Sequence, residues 1–71
     1  MGIVMSKHAL EQARERGVGI DEIKETIQMG AKFLQQDKIV AMYRHIKIVF
    51  KKMENKFFII TVMIRSEKNG K

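Results

Sequence analysis

After Gly30 the apolar residues of this 71-residue chain stop recurring at helical spacing and alternate with a period of two as far as Arg65. Four runs carry that alternation: Lys32 to Gln36, Ile39 to Tyr43, Ile46 to Lys52 and Phe57 to Arg65. Each is rich in β-branched or aromatic residues, as strands are. The breaks between them, Asp37-Lys38, Arg44-His45 and Glu54-Asn55-Lys56, are far shorter than the crossovers that parallel neighbours require. Strands about 32–36, 39–43, 46–52 and 57–65 therefore form a four-stranded antiparallel meander.

The stretch before Gly30 reads as two helices. Ser6 is an N-cap whose hydroxyl accepts from an amide one turn on. A helix over about 6–17 carries Leu10, Ala13 and Gly17 on one narrow stripe, and Gly17 and Gly19 end it. A second helix over about 21–30 opens on Asp21 and Glu22, which complement its dipole. Ile20, Ile23 and Ile27 share its apolar face, and Gly30 closes it. The expected fold is a single α+β domain over 1–71, with two N-terminal helices packed on one face of the meander. Ile3-Val4-Met5 is a candidate short extra strand, and 66–71 reads as a polar tail.

Alternation assigns the two faces of the sheet. Phe58, Ile60, Val62 and Ile64 line up on the last strand, and Ile46, Ile48 and Phe50 on the one before. The two sets share a face if the intervening loop has an odd number of residues, so a three-residue loop at 54–56 is expected. A two-residue turn at Arg44-His45 adds Ile39, Ala41 and Tyr43, and the helices cover this face. The reverse face then holds His45, Lys47, Val49 and Lys51 beside Ile59, Thr61, Met63 and Arg65, extended by Val40, Met42 and Phe33. Two helices cannot cover both faces of four strands. An apolar centre at Phe33, Val40, Met42, Val49, Ile59 and Met63 is thus expected to meet a protein partner or a second copy.

Charge divides unevenly along the chain. Residues 1–36 carry five cations and five anions, whereas 37–71 carry nine Lys and Arg against Asp37, Glu54 and Glu67, which is the whole formal charge of +6. A field concentrated in this way attracts polyanions, and RNA is the leading candidate. The absence of cysteine removes disulfides, thiolate-bound metals and thiol nucleophiles together, and points to a reducing cytoplasm. No apolar run approaches the roughly 20 residues of a membrane span, and no secretory leader is expected at Met1 to Met5. Phosphate-loop, zinc-protease and dinucleotide fingerprints are missing, and two histidines without patterned carboxylates give no metal or cofactor site.

The remaining chemistry is cationic. His8 and Arg16 belong to the first helix; Arg44, His45 and Lys47 surround one hairpin tip; Lys51 and Arg65 lie farther along the strands. Cleavage of RNA without a metal needs a proton acceptor at the ribose 2′-hydroxyl, cations at the scissile phosphate and a proton donor for the leaving oxygen. Histidine exchanges protons near neutrality and arginine's planar fork fits phosphate oxygens. His8, His45 and Arg44 are the catalytic candidates, and Arg16, Arg44, Lys47, Lys51 and Arg65 the candidate nucleic-acid contacts. The same cations would also make a merely phosphate-binding surface.

Ser6-Lys7-His8-Ala9-Leu10, then Arg14, Arg16-Gly17-Val18 and the acidic Asp21-Glu22, resemble a small prokaryotic family of unassigned function, as do Tyr43-Arg44 and Ile60-Thr61-Val62 farther on. The resemblance runs over roughly residues 5 to 65. That family is similar in turn to the RelE/ParE and BrnT toxins, which pack two N-terminal helices on an antiparallel sheet. The resemblance implies a ribonuclease toxin neutralised by an antitoxin that covers the open face. His8, Arg16 and Arg44 fall on the family's recurrent polar positions.

Overall fold

Ser6 ends one element and begins the next. Its amide donates to the Ile59 carbonyl at 3.0 Å, its hydroxyl donates to the Ile60 carbonyl at 3.3 Å, and the same oxygen accepts from the Ala9 amide at 3.0 Å. In the computed structural model, which describes residues 2–65, β1 (Gly2–Met5) precedes this junction and α1 (Lys7–Arg16) follows it. Then come α2 (Ile20–Met29), β2 (Ala31–Gln35), β3 (Lys38–Tyr43), β4 (Ile46–Lys52) and β5 (Lys56–Ile64). The element limits agree with the sequence expectation to about one residue. The expected tail at 66–71 lies outside the described residues.

The sheet is five-stranded and mixed, in the order β1-β5-β4-β3-β2. The meander from β2 to β5 is antiparallel throughout, but β1 lies parallel to β5, with Ile3 opposite Phe57 and Met5 opposite Ile59. This corrects the four-stranded description. Everything from α1 to β4 lies between the two strands in sequence, which is ample chain for a parallel return.

Both helices pack on one face. Ala9, Ala13, Ile23 and Ile27 join Ala41, Ile46, Ile48, Phe50, Ile59 and Val62 in a single buried cluster. Small residues on α1 bring its backbone close to β5. Gln12 completes that contact, because its Oε1 accepts from the Val62 amide at 3.0 Å. The helix ends at Gly17, whose φ of 68° is the left-handed cap glycine supplies without strain. α2 ends at Gly30, where a Cβ would lie 2.5 Å from the Thr26 carbonyl oxygen and 2.6 Å from that of Met42. Only glycine lets the helix end pass this close to β3.

The last hairpin departs from the expected register, for a definable reason. The Met53 amide donates to the Lys56 carbonyl at 2.8 Å, so the chain reverses at Glu54-Asn55. This even break would put β5 out of phase with β4. A bulge restores the phase: Thr61 lies opposite Val49 and Ile59 opposite Phe50, leaving Ile60 as the extra residue. Beyond the bulge the helix-covered side receives Ile59 and Phe57 instead of Ile60 and Phe58. Ile59 is wholly buried in the helix-side cluster, so it is not part of the reverse face. Phe58 lies opposite Lys51 on the other side.

Candidate nucleic-acid interface

No element of the described chain covers the reverse face. Val40 lies at its centre, opposite Phe33 on one side and Val49 on the other. It is completely buried yet absent from the helix-side cluster. Cross-strand neighbours alone remove it from solvent, so Val40 supports the surface instead of touching a partner. Met42, Val49 and Met63 are half-buried around it, and Phe33 retains 50% of its exposure at the β2 margin. The expected apolar patch therefore stands without Ile59 and Val40.

Cations gather at one end of the sheet, around the tip where β3 turns into β4. β3 and β4 are joined by the two residues Arg44 and His45, with Tyr43 opposite Ile46. Arg44 has φ 58°, a left-handed conformation that costs an L-residue about 1–2 kcal/mol. Its guanidinium carbon lies 5.2 Å from the centre of the Tyr43 ring, which places the half-buried tyrosine beneath a cation. The end of β5 closes on the same tip. The Arg65 amide donates to the His45 carbonyl at 2.7 Å, and its Nη1 donates to the Arg44 carbonyl at 3.1 Å. Lys47 follows on the reverse face, opposite Met63. Among the described residues, Arg44, His45 and Lys47 form no ion pair with a carboxylate.

Lys51 stands apart. It lies at the opposite end of β4, with its Nζ 3.3 Å from Asp37 Oδ2, and Lys38 approaches Oδ1 at 3.5 Å. The hydrogen bond from Lys51, then its charge and that of Lys38, hold the Asp37 carboxyl below its ordinary value. Lys51 is therefore partly neutralised within the chain.

His8 and Arg16 are exposed on α1, on the helix side of the sheet, and Arg16 faces Glu15 at 3.6 Å. The structure does not bring His8 to the hairpin tip. α1 starts beside Ile60 and passes Val62 at Gln12, so it runs the same way as β5. Its last turn, with Arg14 and Arg16, points to the end where Arg65 and Arg44 meet. Arg14, a further cation of the first helix, thus borders the same pole.

A cleft lies on the helix side at the other end of the sheet. Its volume is ≈ 400 Å³, with Ile39, Phe50 and Phe57 in its lining, Ile27 on the α2 side, and Lys32 and Lys52 among its charged residues. Phe50 and Phe57 meet edge to face, 5.4 Å between centroids. Sequence alternation misses this cleft because only the bulge turns Phe57 inward.

Comparison with curated proteins and with solved structures finds no match. The family model described as a domain of unknown function (DUF4258) matches residues 5–64, from the last residue of β1 to the last of β5, and the chain belongs to that family.

Proposed function

We propose that this domain binds RNA at the basic tip of its sheet, where β3 turns into β4 and β5 ends, and that it cuts the bound strand there as toxins of the RelE type do. The observation that carries the reading is the meeting of Arg44, His45 and Arg65 at one tip, held by two hydrogen bonds from Arg65. Arg44 keeps a costly backbone conformation, and such strain concentrates at working sites. The order of two helices followed by a sheet is the arrangement that the toxin resemblance implies.

In this reading Arg44, Lys47 and Arg65 hold phosphate oxygens. His45 accepts the proton of the ribose 2′-hydroxyl, whose oxygen attacks phosphorus. The bond from phosphorus to the 5′-oxygen of the next nucleotide breaks, and water protonates that oxygen. The products are a 2′,3′-cyclic phosphate and a 5′-hydroxyl. Labelled messenger RNA incubated with the protein in a chelator tests this. Cleavage that is lost in His45→Ala while binding persists supports the full reading. Binding without cleavage in the native chain reduces it to an RNA-binding domain. A native chain that neither binds nor cleaves the RNA overturns it.

The half-exposed Phe33 and the methionines around Val40 favour a second reading, a non-catalytic module that takes a protein partner on the apolar centre of the reverse face. An antitoxin-like chain would satisfy both readings, by covering the centre and the basic end together.

A further inference from the structure

We infer that β2 is a dimerisation edge, on which a second copy of this chain adds its own β2 antiparallel and continues the sheet across a two-fold axis. This inference is independent of RNA binding.

All five residues of β2 are exposed, and the strand ends the sheet order with a neighbour on one side only. Its large apolar residues project to opposite faces. Phe33 lies on the reverse side at 50% exposure, and Leu34, on the helix side, is 76% exposed. An unpaired, apolar edge of this kind is a template for another strand, and it carries few of the features that protect edges. Lys32 is the sole charge from Ala31 to Gln36, and its ammonium already donates to the Gly30 carbonyl at 3.0 Å. The edge therefore offers little to select an acidic partner. It matches a strand that is apolar on both faces, and β2 itself is such a strand.

The backbone sets the register. Gln35 lies opposite Lys38 across the two-residue turn at Gln36-Asp37, which makes them the hydrogen-bonded closing pair. By alternation, the amides and carbonyls of Lys32 and Leu34 point away from β3. A two-fold centred on Phe33 sets Lys32 opposite the partner's Leu34 and exchanges both bonds at each such pair, with the two Phe33 rings adjacent. A two-fold centred on Lys32 would oppose two lysines. One centred on Leu34 would recruit Gln36, which at φ 60° has left the strand. Pairing β2 with the other edge, β1, would be heterologous and would propagate as a filament instead of closing.

The pairing of position 34 with Lys32 makes the inference testable with residues that do not support the monomer. Sedimentation equilibrium on the native chain should give twice the monomer mass. Leu34→Lys sets lysine against lysine at both symmetric pairs and should weaken the dimer about tenfold, whereas Leu34→Glu sets glutamate against Lys32 and should leave it as tight or tighter. Position 34 is exposed enough that both variants should keep the circular dichroism of the native chain and, at concentrations low enough to dissociate the dimer, its unfolding midpoint. Met63→Lys, on the reverse face, should leave the dimer unchanged. A monomeric native chain, a series of larger oligomers, equal effects of Lys and Glu at position 34, or dissociation by Met63→Lys alone would each overturn the inference.

Discussion

The Arg65 guanidinium donates to the Arg44 carbonyl at 3.1 Å, tying the end of β5 to the turn between β3 and β4. One arginine thus fixes the backbone that presents another. Arg65→Ala should loosen the turn backbone as well as remove a cation, whereas Arg44→Ala should remove a cation and its contact with the Tyr43 ring but leave the hydrogen bond from Arg65 in place. For single-stranded RNA each lost phosphate contact should flatten the plot of log affinity against log salt by about 0.7. Fluorescence anisotropy over a salt series checks this, and an unchanged slope in both variants removes them from the interface.

Arg44 and Gln36 both occupy first turn positions with positive φ, 58° and 60°. Glycine is at ease there. Gln36→Gly should stabilise the fold by about 0.5–1 kcal/mol in urea unfolding, after the entropy glycine adds to the unfolded chain. Arg44→Gly should give a comparable gain in stability while weakening RNA binding. The opposite movement of the two readouts separates backbone strain from phosphate contact.

Asp37 draws Lys51 and Lys38 toward itself at 3.3 and 3.5 Å. Asp37→Asn should release both cations, and because they lie away from the Arg44-His45 tip it should leave RNA affinity within about twofold and the salt slope unchanged. The pH dependence follows from the same contact. The folded carboxyl titrates below its ordinary value of 3.8, so the stabilisation is present above that value and is lost as pH falls through the lower folded one. Unfolding midpoints between pH 5 and 2, on this chain and on the Asn variant, should converge at the acid end.

Much of the architecture is legible in residue spacing. Ser6 as a cap, glycines at both helix ends and the two-residue turn at Arg44-His45 are local signals, and each forms where its chemistry places it. The faces of β2, β3 and the first half of β4 follow from alternation. The inner half of β5 does not, because Phe57-Phe58-Ile59-Ile60 is apolar at every position and can present either face. The tight turn at Glu54-Asn55 and the bulge at Ile60 decide the matter, and neither leaves a mark in composition. The parallel docking of β1 depends on Ser6 reaching β5, a contact between residues more than fifty positions apart. At the candidate site, the nearness of Arg44 and His45 is read from sequence, but their union with Arg65 needs the register. The separation of Lys51 depends on Asp37, an acid visible in the turn whose partner across the sheet is not.

Gly30→Ala tests the contact that seats α2 against β3. The added methyl would lie 2.5 and 2.6 Å from two backbone oxygens, with no flexible side chain to yield. A loss of about 1–3 kcal/mol is expected in chemical denaturation. A neutral result would show that the helix end shifts without cost.

The placement of RNA at the tip between β3 and β4 is tested most directly by amide chemical shifts during titration with a short single-stranded oligoribonucleotide at about 50 mM salt. The largest shifts should fall on Tyr43 to Lys47 and Met63 to Arg65, with α2 and the residues around Phe57 nearly unmoved. Shifts centred on the cleft beside Ile27, Lys52 and Phe57, or no shifts at that salt, would contradict the account.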